Sequence, residues 1–379
     1  MQYRKFNTLQ WKASALGLST LSLPLSENSN QFEESELIEI ISYCLDQGVN
    51  YLDLGYPYYP ARQQKLSQLV SSALRKTNRA NVKIALTLPS HSIRVYADFD
   101  QHLNEQLQWL NLERVDFCLL GRLNRDGWAQ LKNAGVLNWL ERAKEDGRVA
   151  EVGFSFHDSY QVLKEIIASY DRWCVSQFQY SFMDTDHVPG SSGIKYAFNQ
   201  GLAVVVSEPL RRKRLIKNIP EAVKIIWETA SRDYSPAEWA LRWAWNHPEV
   251  SVVLGDISTL AEAQEQVALA EKAEPENLSI RDLVMFGKIK DSYESLKPIP
   301  CPTCRPCMPC PKGIDVPRIF EIYNDALMYG DTQTARQIFA AEEHRPELCD
   351  ACGRCERFCT KKLSIIEYLK QVRQLLESE

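Results

Sequence analysis

Short apolar runs alternate with longer amphipathic stretches eight times over the first 290 residues. No other feature of the chain limits its fold as severely. The apolar runs, at 15–21, 49–54, 82–88, 115–120, 149–154, 175–178, 203–206 and 251–254, have the length of strands. The stretches at 33–47, 62–76, 99–110, 128–146, 159–169, 193–199, 236–246 and 259–271 read as helices, and glycines at 48, 147 and 201 close several units. Eight strand–helix units in this span predict an α/β fold, a (β/α)8 TIM barrel. In that architecture chemistry sits at the C-terminal strand ends.

The tail carries a different signal. Eight of the 11 cysteines follow residue 300, in "CPTCRPCMPCP" from Cys301 and "CDACGRCERFC" from Cys349. The other three, Cys44, Cys118 and Cys174, sit singly in apolar contexts such as "VDFCLL" and are expected to pack in the core. The opening "MQYRKFNTLQWKAS" lacks the apolar run of a signal peptide, and no apolar stretch reaches the roughly 18 residues of a membrane span. The expected location is the cytoplasm, where thiols stay reduced, and this argues against a disulfide framework. A zinc site usually takes two cysteines from one C-x2-C and two from a distant one. Here each set gives three cysteines at x2 spacing and then a fourth: C-x2-C-x2-C-x2-C-P and C-x2-C-x2-C-x3-C. Three thiolates in seven residues suit three corners of an iron–sulfur cubane, and in two-cluster ferredoxins the fourth cysteine crosses to the other cluster. The expected cofactors are two 4Fe-4S clusters, one on Cys301, Cys304, Cys307 and Cys359, the other on Cys349, Cys352, Cys355 and Cys310. The first set is one residue short of the usual x3 before its last cysteine, and Thr360 stands where proline is usual.

Between the sets, "VPRIFEIYNDALMYG" and "TQTARQIFAAEE" carry helical periodicity, with Asp315 and Pro317 as start signals and Gly330 as a stop. The predicted organisation is a barrel over 1–290, a proline-rich linker over 291–300 ("SLKPIPCP") and a small, mainly helical ferredoxin-like iron–sulfur domain over 301–379.

"MQYRKFNTLQWKASALG", "GVNYLDLGYPYY", "EVGFSFHDS", "QFQYSFMD", "SEPL" and "VLGDISTL" together resemble the aldo-keto reductases, and most closely the branch with a C-terminal ferredoxin-like domain. The resemblance implies hydride transfer from NADPH to a carbonyl by a tetrad of Asp, Tyr, Lys and His. Tyrosine donates the proton; its free pKa of about 10 makes it a poor acid until a neighbouring lysine, held by aspartate, lowers it. Asp53 and Tyr58 match the first two members. "ALTLP" puts Thr87 at the lysine position, and "LLGRLN" puts Gly121 at the histidine position. Lys83 lies four residues back on the same strand, roughly 13 Å away at about 3.3 Å per residue. For the cofactor, Ser155 and Gln177 match residues that hold the nicotinamide amide, and Tyr180 is a ring-stacking candidate. Arg212 and Lys213 occupy places where family members often have phosphate-approaching glycines. Ser19 replaces a glycine and Gln266 an asparagine. NADP(H) is therefore implied by the family and weakened by these changes, although basic side chains also hold phosphate.

Plainer readings stand beside these. Tyr58 lies in the aromatic turn "YPYYP", His157 in a strand-to-helix loop, Arg211 to Arg214 in a charge run that reads as solvated loop or as an anion or partner site, and Trp239 and Trp243 on one packed helix face. A net charge of −5 gives no reason to expect nucleic acid. Hydride carries two electrons together, whereas a cubane takes one. The reading is an iron–sulfur oxidoreductase of aldo-keto reductase ancestry, with a redox protein partner and an unnamed small-molecule substrate. The alternative is a non-catalytic pseudoenzyme barrel serving as redox relay, sensor or scaffold.

Overall fold

The computed structural model describes residues 1–6, 9–23, 34–56, 60–76, 81–186, 189–342 and 344–376. The chain begins with an antiparallel hairpin, β1 (Tyr3–Lys5) and β2 (Lys12–Ser14). Eight parallel strands follow: β3 (Leu16–Ser19), β4 (Tyr51–Leu54), β5 (Lys83–Leu88), β6 (Val115–Leu123), β7 (Val149–Phe156), β8 (Trp173–Gln179), β9 (Ala203–Ser207) and β10 (Val250–Gly255). Their order around the sheet follows the chain, and β10 pairs with both β9 and β3, so the barrel is closed. The predicted (β/α)8 fold is present.

Side chains alternate across a strand. Tyr51, Ala85, Phe117, Leu119, Val205 and Leu254 form one buried cluster with Phe6. Phe6 leaves β1 and stacks its ring 4.9 Å from Phe117, 5.7 Å from Tyr51 and 5.3 Å from Trp11. The hairpin thus plugs the N-terminal end of the barrel with aromatic rings. Arg4 fastens it there: its guanidinium donates to the carbonyls of Trp245 (2.6 Å), Val250 (2.8 Å), Ala273 (2.9 Å) and His247 (3.3 Å). Burial pushes Arg4 down to about 10, still charged at neutral pH. At three residues per strand, the hairpin is too short to leave a periodic signal.

The helical expectations hold with one correction. The stretch at 128–146 is two helices, Arg125–Asn133 and Val136–Glu145, broken at Gly135. That residue takes a left-handed φ of 87°, which glycine adopts without a steric penalty. Glu33, the expected start of the first helix, lies outside the described residues; the helix runs Glu34–Asp46. Cys44, Cys118 and Cys174 are buried, as expected of core cysteines.

The chain divides into two compact units, and the division differs from a cut at 290. One unit is Met1–Arg212 with Tyr234–Ser279; the other is Lys213–Asp233 with Ile280–Glu379. The second is helical: Glu221–Glu228, Ile280–Ser295, Val316–Met328, Thr332–Ala341, Arg354–Phe358 and Ile365–Leu376. Helix Ile280–Ser295 crosses the expected boundary because its apolar residues Met285, Phe286, Ile289 and Tyr293 recur at helical spacing and are buried. The proline-rich segment is likewise no free linker. Asn324 clamps Ile299 from both sides, accepting its N–H at 3.0 Å and donating to its carbonyl at 2.8 Å. Asp315 caps Val316–Met328 by accepting the Arg318 amide, and Gly330 follows its end. Arg214 reaches the same helix, pairing with Asp325 at 2.8 Å and with Asp331 at 3.5 Å. A segment counted with the barrel by sequence order is therefore anchored in the helical unit.

Replacing Phe6 with alanine empties the centre of the aromatic plug. Such truncations cost about 3–5 kcal/mol. The expected outcome is a lower denaturant midpoint for the barrel followed by tryptophan fluorescence; an unchanged midpoint contradicts the plug.

Candidate functional site

The alternation that sends Tyr51, Ala85, Leu119 and Val205 inward repeats two residues further on, at the C-terminal strand ends. Asp53, Thr87, Gly121 and Ser207 therefore face the lumen, with Ser19, Ser155 and Gln177 on the same side of their strands. Ser19 pairs in register with Asp53, and Ser155 with Gln177.

Asp53 is 0% exposed. Burial pushes its carboxyl up to about 7, and the Ser19 hydroxyl, donating to Oδ2 at 2.8 Å, lowers it part of the way back. Among the described residues its Oδ1 has no hydrogen-bond partner. Thr87 stands on the neighbouring strand, and Lys83, at the far end of β5, is paired with Asp116 at 2.7 Å. A carboxyl poised near pH 7 can take up or release a proton under physiological conditions.

Gly121 is no simple vacancy for a histidine. A Cβ there would lie 2.6 Å from the Leu88 carbonyl oxygen and 2.9 Å from Thr87 Cγ2. Beyond it the β6–β7 register shifts, Arg122 takes a φ of 51°, and its amide donates to Ser155 Oγ at 2.6 Å. Ser155 is thus occupied locally. Gln177, 7% exposed, keeps an Oε1 with no partner among the described residues. Tyr180 is 1% exposed, with its ring 5.0 Å from Trp243 and 5.4 Å from His247 and its hydroxyl 2.7 Å from Ser191 Oγ. It is packed in the interior beside these residues.

Tyr58 lies outside the described residues. Tyr56, nearby in sequence, meets His91 edge-on at 6.4 Å. Burial lowers the His91 pKa, and Arg122, Arg94 and His102 lower it further. Sequence reasoning passed over His91; its place just after the end of β5 was the available signal. His157 donates its amide to the Leu123 carbonyl at 2.9 Å, as a loop residue.

The basic run is split. Arg211 pairs with Asp184 at 2.5 Å and Arg212 with Glu208 at 2.9 Å, while Lys213 belongs to the helical unit. Arg211, Arg212 and Lys213 all adopt left-handed φ values, 47°, 53° and 67°. For Arg212 and Lys213 these are backbone conformations natural to the glycines that the resemblance puts there. The loop keeps a glycine-like path with side chains that glycine lacks.

In the helical unit the two cysteine loops rest on a hydrophobic cluster that includes Val316, Phe320, Ile365 and Leu369. The loops share a backbone pattern. The second and fourth residues after the first cysteine are left-handed in both: Thr303 (53°) and Arg305 (65°), Ala351 (57°) and Gly353 (70°). For the three that are not glycine this costs about 1–2 kcal/mol each, and such turns aim successive amides into an anion-binding hollow. The Thr303 amide bonds to Cys301 sulfur, countering part of the upward push from burial, to which neighbouring Cys304 and Cys359 add. Burial pushes Cys307 up to about 11, with Cys301, Cys355 and Cys304 contributing. Cys304 Sγ lies 3.3 Å from Thr360 Oγ1, next to Cys359. A cavity of about 380 Å³, its open mouth included, is lined by Cys307, Cys310, Cys349, Cys352 and Cys355. Each fourth cysteine thus keeps company with the opposite set. Among the described residues, no three His, Cys, Asp or Glu side chains converge tightly enough for a single metal ion.

Asp53 sets a pH signature. Its native pKa of about 7 exceeds the usual carboxylate value, so the folded state holds an extra proton between about pH 4 and 7. Barrel stability is expected to fall as pH rises through that window, by up to on the order of 4 kcal/mol. Asp53→Asn should flatten the profile; equal slopes in wild type and variant would sink this account. Gly121→Ala, pressing on the Leu88 carbonyl, is expected to cost about 1–3 kcal/mol in the same unfolding assay.

The sequence profile of the Aldo/keto reductase family matches residues 15–280, well over half the chain. Among solved structures, the chain resembles the holo form of aldo-keto reductase AKR11C1 from Bacillus halodurans at 22% identity and TM-score 0.62, covering 76% of this chain and 96% of that one. A thermostable aldo-keto reductase, Tm1743, in complex with the inhibitor epalrestat, aligns at 19% identity and TM-score 0.63, over 76% of this chain and 100% of that one. At these identities the structures share a fold. Among curated proteins none matches the chain. With its closed eight-stranded barrel coinciding with the matched residues, this chain belongs to the aldo/keto reductase family.

Proposed function

We propose that the chain is an iron–sulfur oxidoreductase on an aldo-keto reductase barrel, in which eight thiolates hold two 4Fe-4S clusters and ordinary NADPH-dependent carbonyl reduction has been abandoned. One observation carries the reading: two cysteine loops of different sequence take the same left-handed backbone, with their thiols interleaved around shared space. The donor set fits the group. Each cluster needs four cysteines, of which three are local and one comes from the other loop. Two sets of three cysteines at x2 spacing, each followed by a fourth, suit two cubanes better than the paired C-x2-C sets usual for zinc. When bound, such a cluster takes up and returns one electron without making or breaking a bond. The chain's own residues do the rest. Cys301, Cys307 and Cys355 give up protons that burial makes them hold, the Thr303 amide donates to sulfur, and the cluster around Phe320 shields the inner side from water, while Cys304 and Cys352 remain exposed.

Loss of the standard reaction is supported at the barrel mouth. Asp53 has Ser19 rather than a lysine, and the space beside Gly121 that a histidine side chain would enter is filled by Leu88 and Thr87. A tyrosine proton donor lacking its lysine stays a poor acid near neutrality. A non-catalytic barrel is favoured by one further observation, the closed packing of Tyr180 where a nicotinamide would stack. Gln177, with its free Oε1, is the residue best placed for an amide ligand.

Anaerobically purified protein is expected to contain about eight iron and eight sulfide per chain and to give EPR signals of reduced clusters. Cys310→Ser and Cys359→Ser should each remove about half the iron, from opposite clusters. Zinc in place of iron, or iron near zero, overturns the cluster reading. NADPH fluorescence titration separates the barrel readings: turnover of a simple aldehyde would restore the standard reductase.

A further inference from the structure

The segment after the second cysteine set has a surface that the cluster reading does not use. Arg354, Arg357, Lys361 and Lys362 fall within nine residues, all are exposed, and none pairs with a carboxylate among the described residues. Phe358 stands among them, 52% exposed. The carboxylate that interrupts the run is turned aside: Glu356 accepts the Ile366 amide at 2.9 Å, at the start of helix Ile365–Leu376. The other nearby acid, Asp350, faces Lys312 at 3.5 Å. Two of these cations lie beside the thiols. Arg354 lines the same cavity as Cys352 and Cys355, and Lys361 follows Thr360, whose hydroxyl touches Cys304 sulfur. A chain with net charge −5 thus presents a positive, aromatic-centred patch beside its most exposed cysteines, Cys304 and Cys352.

We infer that this patch, formed by Arg354, Arg357, Phe358, Lys361 and Lys362, docks a small acidic one-electron carrier protein. The inference rests on the two-cluster reading for its purpose, since electrons must enter or leave where the thiols approach solvent. The charge argument is independent of it. Unpaired cations around one apolar contact suit a transient complex, in which opposite charge speeds encounter and fixes orientation while little area is buried. Basic residues that are not neutralised within the fold are available to a partner's carboxylates, and salt screens such contacts over about 8–10 Å at ordinary ionic strength.

The test uses the anaerobically purified full chain and, as probe, a plant-type [2Fe–2S] ferredoxin of strongly acidic surface, with basic cytochrome c as comparison. Binding is read by fluorescence anisotropy of the labelled carrier at low and at about 0.2 M salt. The acidic carrier is expected to bind, to weaken with salt, and to lose about tenfold or more in affinity on Arg357→Glu with Lys361→Glu. Should that variant fold poorly, Arg357→Gln with Lys361→Gln is expected to give a smaller loss in the same direction. Equal binding of both carriers, affinity untouched by the substitutions, or tighter binding of duplex DNA or anionic vesicles than of the ferredoxin overturns the proposal. Iron and sulfide counts on the same samples report on the clusters separately, because anisotropy registers docking whether or not iron is present.

Discussion

A closed parallel barrel has no free edge, and every second residue of its strands must find something to touch inside. In this chain that demand is met differently at the two ends. At the N-terminal end the hairpin supplies Phe6, which fills the lumen against Phe117 and Tyr51. At the C-terminal end the inward positions are Ser19, Asp53, Thr87, Ser155, Gln177 and Ser207, with glycine at 121. Polar groups facing a lumen must pair with one another or with a ligand. Ser19 and Asp53 pair; Asp53 Oδ1 and Gln177 Oε1 do not. The mouth is therefore a ring of hydrogen-bonding groups with acceptors left over and no ammonium among its inward positions.

The helical unit solves a different problem. Its two loops each place three cysteines within seven residues, and a chain that tight must reverse direction between thiols. Thr303, Arg305 and Ala351 accept left-handed backbone to do so, where only Gly353 does it without strain. Strain of this kind persists where the surroundings impose it and concentrates at functional positions. The surroundings here are a packed cluster under the loops, the Asn324 clamp on Ile299 just before Cys301, and the Asp315 cap just after Cys310. The loops are held from outside the cysteines themselves, which is what a preorganised site requires.

How much of this could be read from the residues follows from the period of each signal. Strands of four to nine residues with apolar interiors announce themselves, and all eight were legible, because burial on both faces leaves little room for polar residues. Helix Val316–Met328 was legible from its cap, proline and closing glycine. The hairpin was not, since three residues cannot show a period. The division between units was not, because it depends on Arg214 meeting Asp325 across 111 positions of sequence. At the site, Asp53, Thr87 and Gly121 could be aligned by family motif, but the Ser19 hydroxyl on Asp53 and the Leu88 carbonyl against Gly121 are contacts between neighbouring strands, invisible to spacing along one chain. Tyr180 could likewise be aligned by motif, while its contacts with Trp243 and His247 come from distant parts of the chain.

The two halves of the chemistry constrain each other. A reductase of the standard kind must stabilise an alkoxide as hydride arrives, and it does so with positive charge preorganised beside the tyrosine. Thr87 stands at the lysine position, and burial pushes the Asp53 carboxyl up to about 7, so below about pH 7 the mouth also lacks most of this anion. A pocket without either charge is poor at polar two-electron chemistry but does nothing to hinder a neutral ligand held by Gln177 and its neighbours. The proposed clusters would pass single electrons, and a hydride couples to them only where some group converts between one and two. On the proposed reading, the residues at the lysine and histidine positions would remove a two-electron reaction with which a one-electron tail is mismatched, so the two changes fit together better than either alone.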